Sequence, residues 1–356
     1  MKIVYVLGTG QLGCMLRQAG EPLGITIYLL DIDGKIEIPI EKKDLITSEV
    51  EYWPNTEFTR KLTVNDSFIN RDTFPIVSDR LMQKQFLDRL GLPTVPWAPI
   101  FSSSQWNQIF ALFGASVIVK QRTGGYNGKG QWNISSNSLS LFPKKFYGNA
   151  IVEQKINFTD EVSLIGSRGY DGKVIFYPLT YNFHQDGILR VSVVLDNETS
   201  IQREVECMLA SIMHMLDYIG IMTMECFLTQ KGILINELAP RVHNSGHWTQ
   251  DGASINQFEM HLRAILNLPM PAPIIYKPAI MLNLLGINMN TAWLYDPIIR
   301  LHWYNKEVYS FRKVGHLNLV TDNPIKMNMA LDRLKIILPS DYVTGISWAQ
   351  NQLKRV

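Results

Sequence analysis

The segment 222–248 reads Met-Thr-Met-Glu-Cys-Phe-Leu-Thr-Gln-Lys-Gly-Ile-Leu-Ile-Asn-Glu-Leu-Ala-Pro-Arg-Val-His-Asn-Ser-Gly-His-Trp. Two apolar runs flank a Thr-Gln-Lys-Gly turn whose glycine can adopt a positive φ, and this pattern predicts a β-hairpin. If the hairpin is centred on Lys231, Glu225 and Glu237 lie directly opposite one another on the same face.

Two opposed carboxylates indicate a cation site, because they repel each other unless a positive charge lies between them. Oxygen ligands favour Mg²⁺, which commonly takes one or two carboxylates together with substrate phosphates. Two alternatives stay open: one glutamate pairs with an arginine, or the register differs by one residue. The stretch after Glu237 favours a functional site, because Arg241, His243, Asn244 and His247 fall within seven positions.

The composition bounds the class of protein. The chain has 356 residues, 46% of them hydrophobic, which is enough for two or three packed domains. A net charge of +2 gives no reason to expect a nucleic-acid partner. Three cysteines without paired spacing predict reduced thiols in a cytoplasmic protein and no zinc site. The most apolar run, 279–287, is about half as long as a membrane span, so no membrane partner is expected.

The N-terminal segment carries a first glycine-rich loop. A strand over 2–7 is followed by Gly-Thr-Gly-Gln-Leu-Gly at 8–13, a helix, a second strand over 25–30 and Asp31. This order matches the dinucleotide-binding fingerprint, although the same glycines also suit a tight turn in any βαβ unit. Residues 68–77 predict a further strand with its exit loop, so the first eighty residues are expected to form an open α/β unit.

A second glycine-rich loop lies near the middle of the chain. A predicted strand ends in Lys120, and four glycines and Lys129 follow within 124–130 before another strand begins at Gln131. Glycines allow consecutive backbone amides to surround an anion, and Lys120 adds a charge suited to phosphate. We therefore predict a phosphate-covering flap, with a merely mobile hairpin tip as the alternative. It is not a P-loop, because a strand follows it.

The remaining pattern places several further elements. A helix is expected to start at Ser78 or Asp79, with Arg80 and Lys84 four residues apart on a face that could equally be a solvated basic one. A short strand over 150–156 could offer its end to a flat ring such as adenine. Further predictions are listed here: strands over 162–166, 174–179, 299–304, 307–311 and 316–320, and helices over 201–216, 253–267 and 325–338.

Taken together, these motifs make the sequence similar to the 5-(carboxyamino)imidazole ribonucleotide synthases, ATP-grasp enzymes of bacterial purine biosynthesis. The resemblance extends over essentially the whole chain. It is carried by 8–13, 70–72, Arg80, Gln85, Lys120, 124–131, Glu153, Gln154, Glu161, 184–187, 224–227, 236–248 and 313–316. The run 236–248 is highly specific, whereas the second glycine-rich loop is typical of ATP-grasp enzymes generally.

The resemblance implies a fold of the α/β class (α+β overall), namely an ATP-grasp fold with an N-terminal Rossmann-like open sheet and a small β-rich C-terminal domain. The implied bounds are 1–83 for the N-terminal domain, 84–267 for the ATP-grasp domain and 268–356 for the C-terminal domain. The glycine-loop lid would lie within about 100–180. The family also implies a cytoplasmic homodimer.

The resemblance further implies an ATP site, a metal pair and a second substrate site. The ATP-binding residues would be Arg80, Lys120, Gly124, Gly125, Tyr126, Asn127, Gly128, Lys129, Gly130, Gln131, Glu153, Gln154, Lys155, Ile156, Glu161, His184, Asn236 and Glu237. Glu225 and Glu237 would hold Mg²⁺, or Mn²⁺ in its place. The catalytic residues would be Tyr126, Arg241, His243 and Lys313, and the substrate-binding residues Gln11, Arg241, His243 and Lys313.

The family carboxylates the amine of aminoimidazole ribonucleotide with bicarbonate and ATP. Bicarbonate is a poor electrophile, so phosphorylation to carboxyphosphate activates it, and Mg²⁺ with Lys120 would neutralise the charge that builds up. Because carboxyphosphate hydrolyses readily, a closing lid is needed to exclude water, and Tyr126 is the candidate for a proton shuttle there.

Two positions depart from the family pattern. Asn127 stands where the family usually has aspartate, and an amide cannot take a proton at neutral pH. Cys14 stands where the family often has arginine, which removes a phosphate contact at the first helix.

Three alternative functions stay open: another ATP-grasp carboxylate–amine ligase, an NAD-dependent oxidoreductase that uses residues 8–13 and Asp31, and a non-catalytic binding protein.

Overall fold

The computed structural model describes residues 3–34, 40–125, 129–195, 200–276 and 278–355. The N-terminal unit contains a parallel sheet in the order β2-β1-β3, with α1 packed beside it. Its elements are β1 (Ile3–Leu7), α1 (Gln11–Gly20), β2 (Thr26–Leu30), β3 (Leu45–Ser48), α2 (Glu57–Thr63), α3 (Phe74–Val77) and α4 (Arg80–Arg89). The predicted order of strand, glycine-rich loop, helix and strand is confirmed.

The predicted strand over 68–77 is wrong. Phe68 makes only an isolated bridge to Ile46, and the segment then turns into the short helix α3. Pro75 lies in the first turn of α3, where a missing N–H costs nothing. The aromatic residues of this segment are buried in the N-terminal core, where Phe68 and Phe74 are each 3% exposed, whereas Val77 packs into the core of the largest sheet.

The second glycine-rich loop belongs to a separate four-stranded antiparallel sheet in the order β4-β7-β5-β6. Its elements are β4 (Trp97–Ile100), α5 (Trp106–Phe113), β5 (Ser116–Gln121), β6 (Gln131–Ser135) and β7 (Ala150–Gln154). A core of its own lies between α5 and the strands, around Trp106, Ile134 and Phe142. The predicted pair of strands on either side of the loop is therefore confirmed as β5 and β6.

The largest sheet has nine strands, in the order β13-β12-β8-β10-β11-β14-β16-β15, with β9 paired to β8. The strands are β8 (Asp160–Arg168), β9 (Val174–Phe176), β10 (Thr180–Gln185), β11 (Ile188–Val194), β12 (Gly220–Thr229), β13 (Gly232–Ala239), β14 (Ala279–Leu285), β15 (Ile299–Trp303) and β16 (Lys313–Val320). The helices are α6 (Ser200–Met215), α7 (Thr249–Gly252), α8 (Gln257–Ile265), α9 (Pro324–Ile337) and α10 (Val343–Leu353). Because β14 pairs with β11, the C-terminal strands extend the sheet of the central domain, and the predicted domain bounds stay a prediction.

In the hairpin β12–β13, Glu225 faces Glu237, which confirms the prediction. The register that produces this pairing differs, however, from the predicted register. Next to the turn, Thr229 pairs with Gly232, one residue away from the predicted register. The register shifts between Glu225 and Cys226, so that Asn236 is an extra, bulged residue on β13. The bulge restores the opposition of the two glutamates.

In the C-terminal half, the structure differs from the prediction at one strand and at the start of one helix. Residues 307–311 form no strand and belong to the loop between β15 and β16, where Phe311 has a φ of 62°. The helix predicted from 253 begins only at Gln257, because the Asn256 side chain caps it by accepting from the amides of Phe258 and Glu259. Among the described helices, none has both the length and the apolar character that a membrane span requires.

Candidate active site

A buried cluster of charges joins three of the elements described above. The carboxylate of Glu153 on β7 lies 2.9 Å from Lys84 Nζ on α4 and 2.7 Å from Lys120 Nζ on β5. Burial alone would raise the pKa of Glu153, but the two ammonium groups outweigh it and hold the pKa at about 2. Glu153 is therefore ionised under all ordinary conditions, and it fixes Lys120 at the end of its strand.

The same two lysines also bind the bulged residue of the hairpin. Lys120 Nζ donates to Asn236 Oδ1 over 2.8 Å, and Lys84 Nζ is 3.3 Å from the Asn236 carbonyl oxygen and 2.7 Å from Thr94 Oγ1. The bulge thus places Glu237 opposite Glu225 and also provides Asn236 Oδ1 as a hydrogen-bond acceptor for Lys120. Lys84 was not predicted as a site residue, although its spacing of four from Arg80 already placed both cations on one face of α4.

Arg80 connects the hairpin with the second glycine-rich loop. Its guanidinium donates to Glu237 Oε1 over 2.9 Å, to the Gln121 carbonyl over 2.9 Å and to the Gly125 carbonyl over 3.2 Å. The alternative in which one glutamate pairs with an arginine is therefore realised for Glu237. It does not extend to Glu225, whose Oε1 lies 3.6 Å from His243 Nε2.

The glutamate pair has the chemistry of a divalent-cation site. Burial raises the pKa of Glu225, and the nearby charge of Glu237 adds to this effect, so that together they outweigh the opposing charge of His184. Among the described residues, no group of three or more His, Cys, Asp or Glu side chains could hold a metal ion. Two carboxylates nevertheless suffice for Mg²⁺ when substrate phosphates and water complete its shell, so the pair fits that ion.

Further predicted nucleotide residues flank this cluster. Glu161 on β8 contacts His184 Nδ1 on β10, and this hydrogen bond raises the pKa of His184 although burial opposes the shift. Gln154, Lys155 and Ile156 follow Glu153 directly, where β7 leaves its sheet. Gln154, Lys155 and Ile156 thus adjoin Glu153 of the charge cluster, whereas Glu161 lies on β8, the strand that pairs with the Glu225 strand β12.

The second glycine-rich loop is described at both of its ends. Gly124 has a φ of 76° and Gly130 a φ of 71°, and the Gln121 amide donates to the Gly130 carbonyl over 2.8 Å. Gln131 then begins β6 opposite Lys120, with Lys129 just before it. The predicted residues Tyr126, Asn127 and Gly128 lie outside the described residues.

Three of the predicted substrate residues, Arg241, His243 and Lys313, interact electrostatically, and the two charged ones, Arg241 and Lys313, are called the second group of cations here. Arg241 pairs with Glu51 of the N-terminal unit over 2.7 Å, and burial together with Arg241 lowers the pKa of Lys313 to about 8. Burial and these same cations lower the pKa of His243 well below its usual range, so its ring is neutral at pH 7. Glu51 was missed by the sequence reasoning, because nothing in its local pattern indicates a partner 190 residues away.

The first glycine-rich loop is occupied by a side chain of the protein itself. The Gly13 amide donates to Glu49 Oε2 over 2.6 Å, and the Gly10 amide donates to Glu49 Oε1. On the outer side of the loop, Gln11 contacts Lys306 from the loop before β16. The amides that would receive a dinucleotide pyrophosphate are thus already used, which argues against the NAD alternative. Neither Glu49 nor Lys306 was predicted.

Comparison with known proteins gives consistent matches. The ATP-grasp domain model matches residues 85–258, and the model of the phosphoribosylaminoimidazole carboxylase C-terminal domain matches residues 279–328. N5-carboxyaminoimidazole ribonucleotide synthase of Escherichia coli (strain K12) is 52% identical over 99% of each chain.

Solved structures agree with the sequence matches. N5-carboxyaminoimidazole ribonucleotide synthetase from Thermus thermophilus superposes with a TM-score of 0.82 at 34% identity, covering 93% of this chain and 97% of that one. N5-carboxyaminoimidazole synthetase from Staphylococcus aureus, complexed with ADP, gives a TM-score of 0.81 at 27% identity, covering 93% and 96%.

Proposed function

The chain belongs to the N5-carboxyaminoimidazole ribonucleotide synthase family of ATP-grasp enzymes, and we propose that it carboxylates the amine of 5-aminoimidazole ribonucleotide in purine biosynthesis. The substrates are ATP, bicarbonate and the ribonucleotide, and the products are the carbamate, ADP and phosphate. The observation that carries this assignment is the opposed pair Glu225 and Glu237. The charge of Glu225 acts both on Lys120, beside the second glycine-rich loop, and on Lys313, among the second group of cations.

ATP binds between the four-stranded sheet and the hairpin. Lys120 and Arg80 contact the phosphates, because both cations point to the junction of the second glycine-rich loop with the glutamate pair. Glu161, His184 and the end of β7 hold the nucleoside. Glu153 stays buried beneath Lys120 and holds that ammonium group in place.

Glu225 and Glu237 hold Mg²⁺, with Mn²⁺ as a substitute. When bound, the ion supplies positive charge that offsets the negative charge developing on the transferred phosphoryl group. Arg80 pairs with Glu237 in the structure, so a bound ion would share that carboxylate with the guanidinium.

The reaction proceeds in two displacements. A bicarbonate oxygen attacks the γ-phosphorus of ATP, the bond to the bridging oxygen breaks, and ADP leaves with formation of carboxyphosphate. The ribonucleotide amine then attacks the carboxyl carbon, phosphate leaves, and the amine loses a proton. Arg241, His243 and Lys313 bind the bicarbonate-derived group and the ribonucleotide, and Gln11 contacts the ribonucleotide from the N-terminal unit.

The second glycine-rich loop, whose sequence includes Tyr126, closes over carboxyphosphate and keeps water out. Asn127 cannot serve as the proton acceptor, so the amine proton passes to another base or to the departing phosphate. We also propose that the enzyme is a homodimer in the cytoplasm, as the family resemblance implies. Sedimentation at several protein concentrations would test the dimer, and a single monomeric species would contradict it.

The direct test measures ADP and carbamate formation with ATP, bicarbonate and the ribonucleotide present, and with each omitted in turn. We expect both products only in the complete mixture with Mg²⁺ or Mn²⁺, and no product with EDTA. Carbamate formation on a different amine would favour another ATP-grasp ligase. Failure to form ADP with any amine would favour a non-catalytic binding protein.

The metal assignment has its own test. Glu225→Gln and Glu237→Gln should each abolish turnover while circular dichroism shows a folded protein. Normal Mg²⁺ dependence of turnover in both variants would show that the pair does not bind the metal.

A further inference from the structure

A chain of buried polar side chains runs from His243 into the centre of the nine-stranded sheet. The His243 Nδ1 atom lies 2.9 Å from Ser245 Oγ, which lies 2.8 Å from Ser163 Oγ on β8. Asn182 on β10 donates from Nδ2 to Ser163 Oγ over 2.9 Å, and Ser192 Oγ on β11 donates to Asn182 Oδ1 over 2.7 Å. The chain thus crosses three neighbouring strands.

These groups are deeply buried, because Ser163, Ser192 and Ser245 are 0% exposed and Asn182 is 4% exposed. Burying an amide or a hydroxyl among apolar side chains is costly unless each is hydrogen-bonded. A buried polar chain that leads to a predicted active-site residue therefore calls for an explanation, particularly as the core on that face of the sheet is otherwise apolar, with Ile165, Val194 and Trp248.

The direction of the hydrogen bonds is fixed from both ends. Asn182 Nδ2 also lies 3.3 Å from the Thr180 carbonyl oxygen, which can only accept, so the amide nitrogen points towards Ser163 and the amide oxygen towards Ser192. Ser163 consequently accepts from Asn182 and donates its own proton to Ser245. At the other end, the Ser245 backbone N–H, which can only donate, lies 3.3 Å from His243 Nδ1.

His243 Nδ1 therefore accepts hydrogen bonds from both the hydroxyl and the amide of Ser245, and it carries no proton. In a neutral imidazole the proton then resides on Nε2. The Glu225 Oε1 atom lies 3.6 Å from Nε2, beyond hydrogen-bonding distance, and Nε2 has no hydrogen-bond partner among the described residues. The N–H is thus available to an acceptor that enters the site beside the glutamate pair.

We propose that the chain Ser192–Asn182–Ser163–Ser245 positions His243 as an Nε2–H donor, which holds an anionic oxygen of the bicarbonate-derived group and does not take the amine proton. This inference rests on the proposed function for the identity of the ligand. The ring tautomer, however, is a property of the protein alone. His243 and Ser245 are therefore assigned different duties, the first touching substrate and the second acting only through the ring.

Ser167 provides a matched control. It lies four residues from Ser163 on β8 and is equally 0% exposed, yet its Oγ has no hydrogen-bond partner among the described residues. Side chains four residues apart on a strand share a face. Replacing Ser167 with alanine thus removes a buried hydroxyl from the same face without touching the chain that ends at His243.

The first experiment records the ring ¹⁵N resonances of histidine-labelled protein without substrates at pH 7, with His243→Gln used for assignment. We expect one protonated nitrogen, Nε2, in the parent and in Ser167→Ala, and a mixture of tautomers in Ser245→Ala. A protonated Nδ1 or a charged ring in the parent would overturn the proposal, whether or not the protein proves to be a carboxylase.

The second experiment compares His243→Gln with His243→Ala. The glutamine amide can place an N–H close to the Nε2 position but cannot act as a base. We expect glutamine to retain activity well above alanine and to share the parent's pH profile. Equal loss in both variants, or a pH profile that loses one ionisation, would show that His243 takes a proton.

The third experiment tests positioning. Ser245→Ala and Ser163→Ala should raise the KM for bicarbonate about two- to tenfold, the effect of one neutral hydrogen bond, without changing the KM for ATP. Ser167→Ala should change neither. If melting temperature and kcat fall equally in all three variants while the KM for bicarbonate stays unchanged, the serines serve only packing.

Discussion

The two glycine-rich loops resemble each other in sequence but differ in what lies against them. In the first loop, the amides of Gly10 and Gly13 bind the carboxylate of Glu49, which is 5% exposed. A Cβ atom on Gly8 would lie 2.4 Å from Glu49 Cγ, so glycine is required by the chain's own anion. In the second loop, a Cβ atom on Gly124 would meet nothing closer than 3.8 Å.

Two cations lie beside the second loop instead. Arg80 donates to the Gly125 carbonyl, and Lys120 lies one residue before the end of the strand that leads into the loop. A glycine spacing therefore reports that something approaches the backbone closely, but not what approaches. The charge of the neighbouring side chains decides whether the approaching anion is internal, as in the first loop, or a ligand, as proposed for the second.

The largest effect expected from this difference concerns Lys120. Lys120→Met keeps much of the side chain's length and removes the charge beside the second loop. We expect kcat/KM for ATP to fall about 10²- to 10³-fold, the loss typical for one electrostatic group acting on the transition state. The measurement is ADP release at saturating bicarbonate and ribonucleotide.

Lys173→Met serves as the control, because Lys173 is exposed and lies outside the site. It should leave kcat/KM unchanged. If Lys120→Met has no more effect than this control, the cation beside the second loop does not contact ATP, and the contrast between the loops loses its functional meaning.

The sequence contained enough to predict the facing glutamates and the strands on either side of the second glycine-rich loop. The glutamate pair, Lys120 and the flap followed from patterns within short segments, and the structure brings Glu225 opposite Glu237 as expected. Even here the agreement depends on a bulge at Asn236, which no periodicity indicates. Local patterns determine elements and facing residues, whereas the register is settled by packing on neighbouring strands.

Contacts between distant segments could not be predicted in the same way. Glu49 lies 36 residues from Gly13, and Lys306 lies 295 residues from Gln11, so the fold alone brings them together. The strand predicted over 307–311 is wrong because a strand needs a partner from elsewhere in the chain. No described strand pairs with this segment, and Tyr309 and Phe311 are each 58% exposed.

A second prediction uses pH to test the role of Lys313, which belongs to the second group of cations. Lys313 has a pKa of about 8, because burial and Arg241 disfavour its ammonium form. It is therefore charged below pH 8 and neutral above. If Lys313 binds the ribonucleotide as a cation, kcat/KM for the ribonucleotide should fall about tenfold per pH unit above pH 8.

Lys313→Arg sharpens this test, since a guanidinium stays protonated throughout that range. The fall above pH 8 should disappear in this variant, even if its overall activity is lower. A pH profile that is the same in the parent and in Lys313→Arg would assign the ionisation to a different group.

A third prediction compares the glycines themselves. Gly8 and Gly124 both have positive φ, at 116° and 76°. Gly8→Ala adds a clash with Glu49 to the backbone strain and should lower the free energy of unfolding by about 2–5 kcal/mol. Gly124→Ala carries only the backbone strain and should cost about 1–2 kcal/mol. Urea unfolding measures both.

A double-mutant cycle tests whether Glu49 causes the difference. Glu49→Ala should cost stability by itself, because two amides lose a charged acceptor. Combined with Gly8→Ala, it should cost less than the sum of the two single changes. Strict additivity would mean that the first loop tolerates a Cβ and that its glycine is not required by the carboxylate.

The smallest change in rate is expected at Tyr126, which belongs to the sequence of the second loop. If this loop guards carboxyphosphate, weaker closure should not stop ATP cleavage, but it should let water reach the intermediate before the amine does. Tyr126→Phe removes one hydroxyl and keeps the ring, so ADP formation should change little while the ratio of ADP to carbamate rises. Thr9→Ala, which removes an exposed hydroxyl in the first loop, should leave that ratio unchanged, because the first loop binds an internal anion and has no intermediate to protect. The measurement is parallel quantification of ADP and carbamate at saturating ATP and bicarbonate. If both rates fall together in Tyr126→Phe at a constant ratio, the tyrosine serves binding or chemistry, and the second loop is no more a guard than the first.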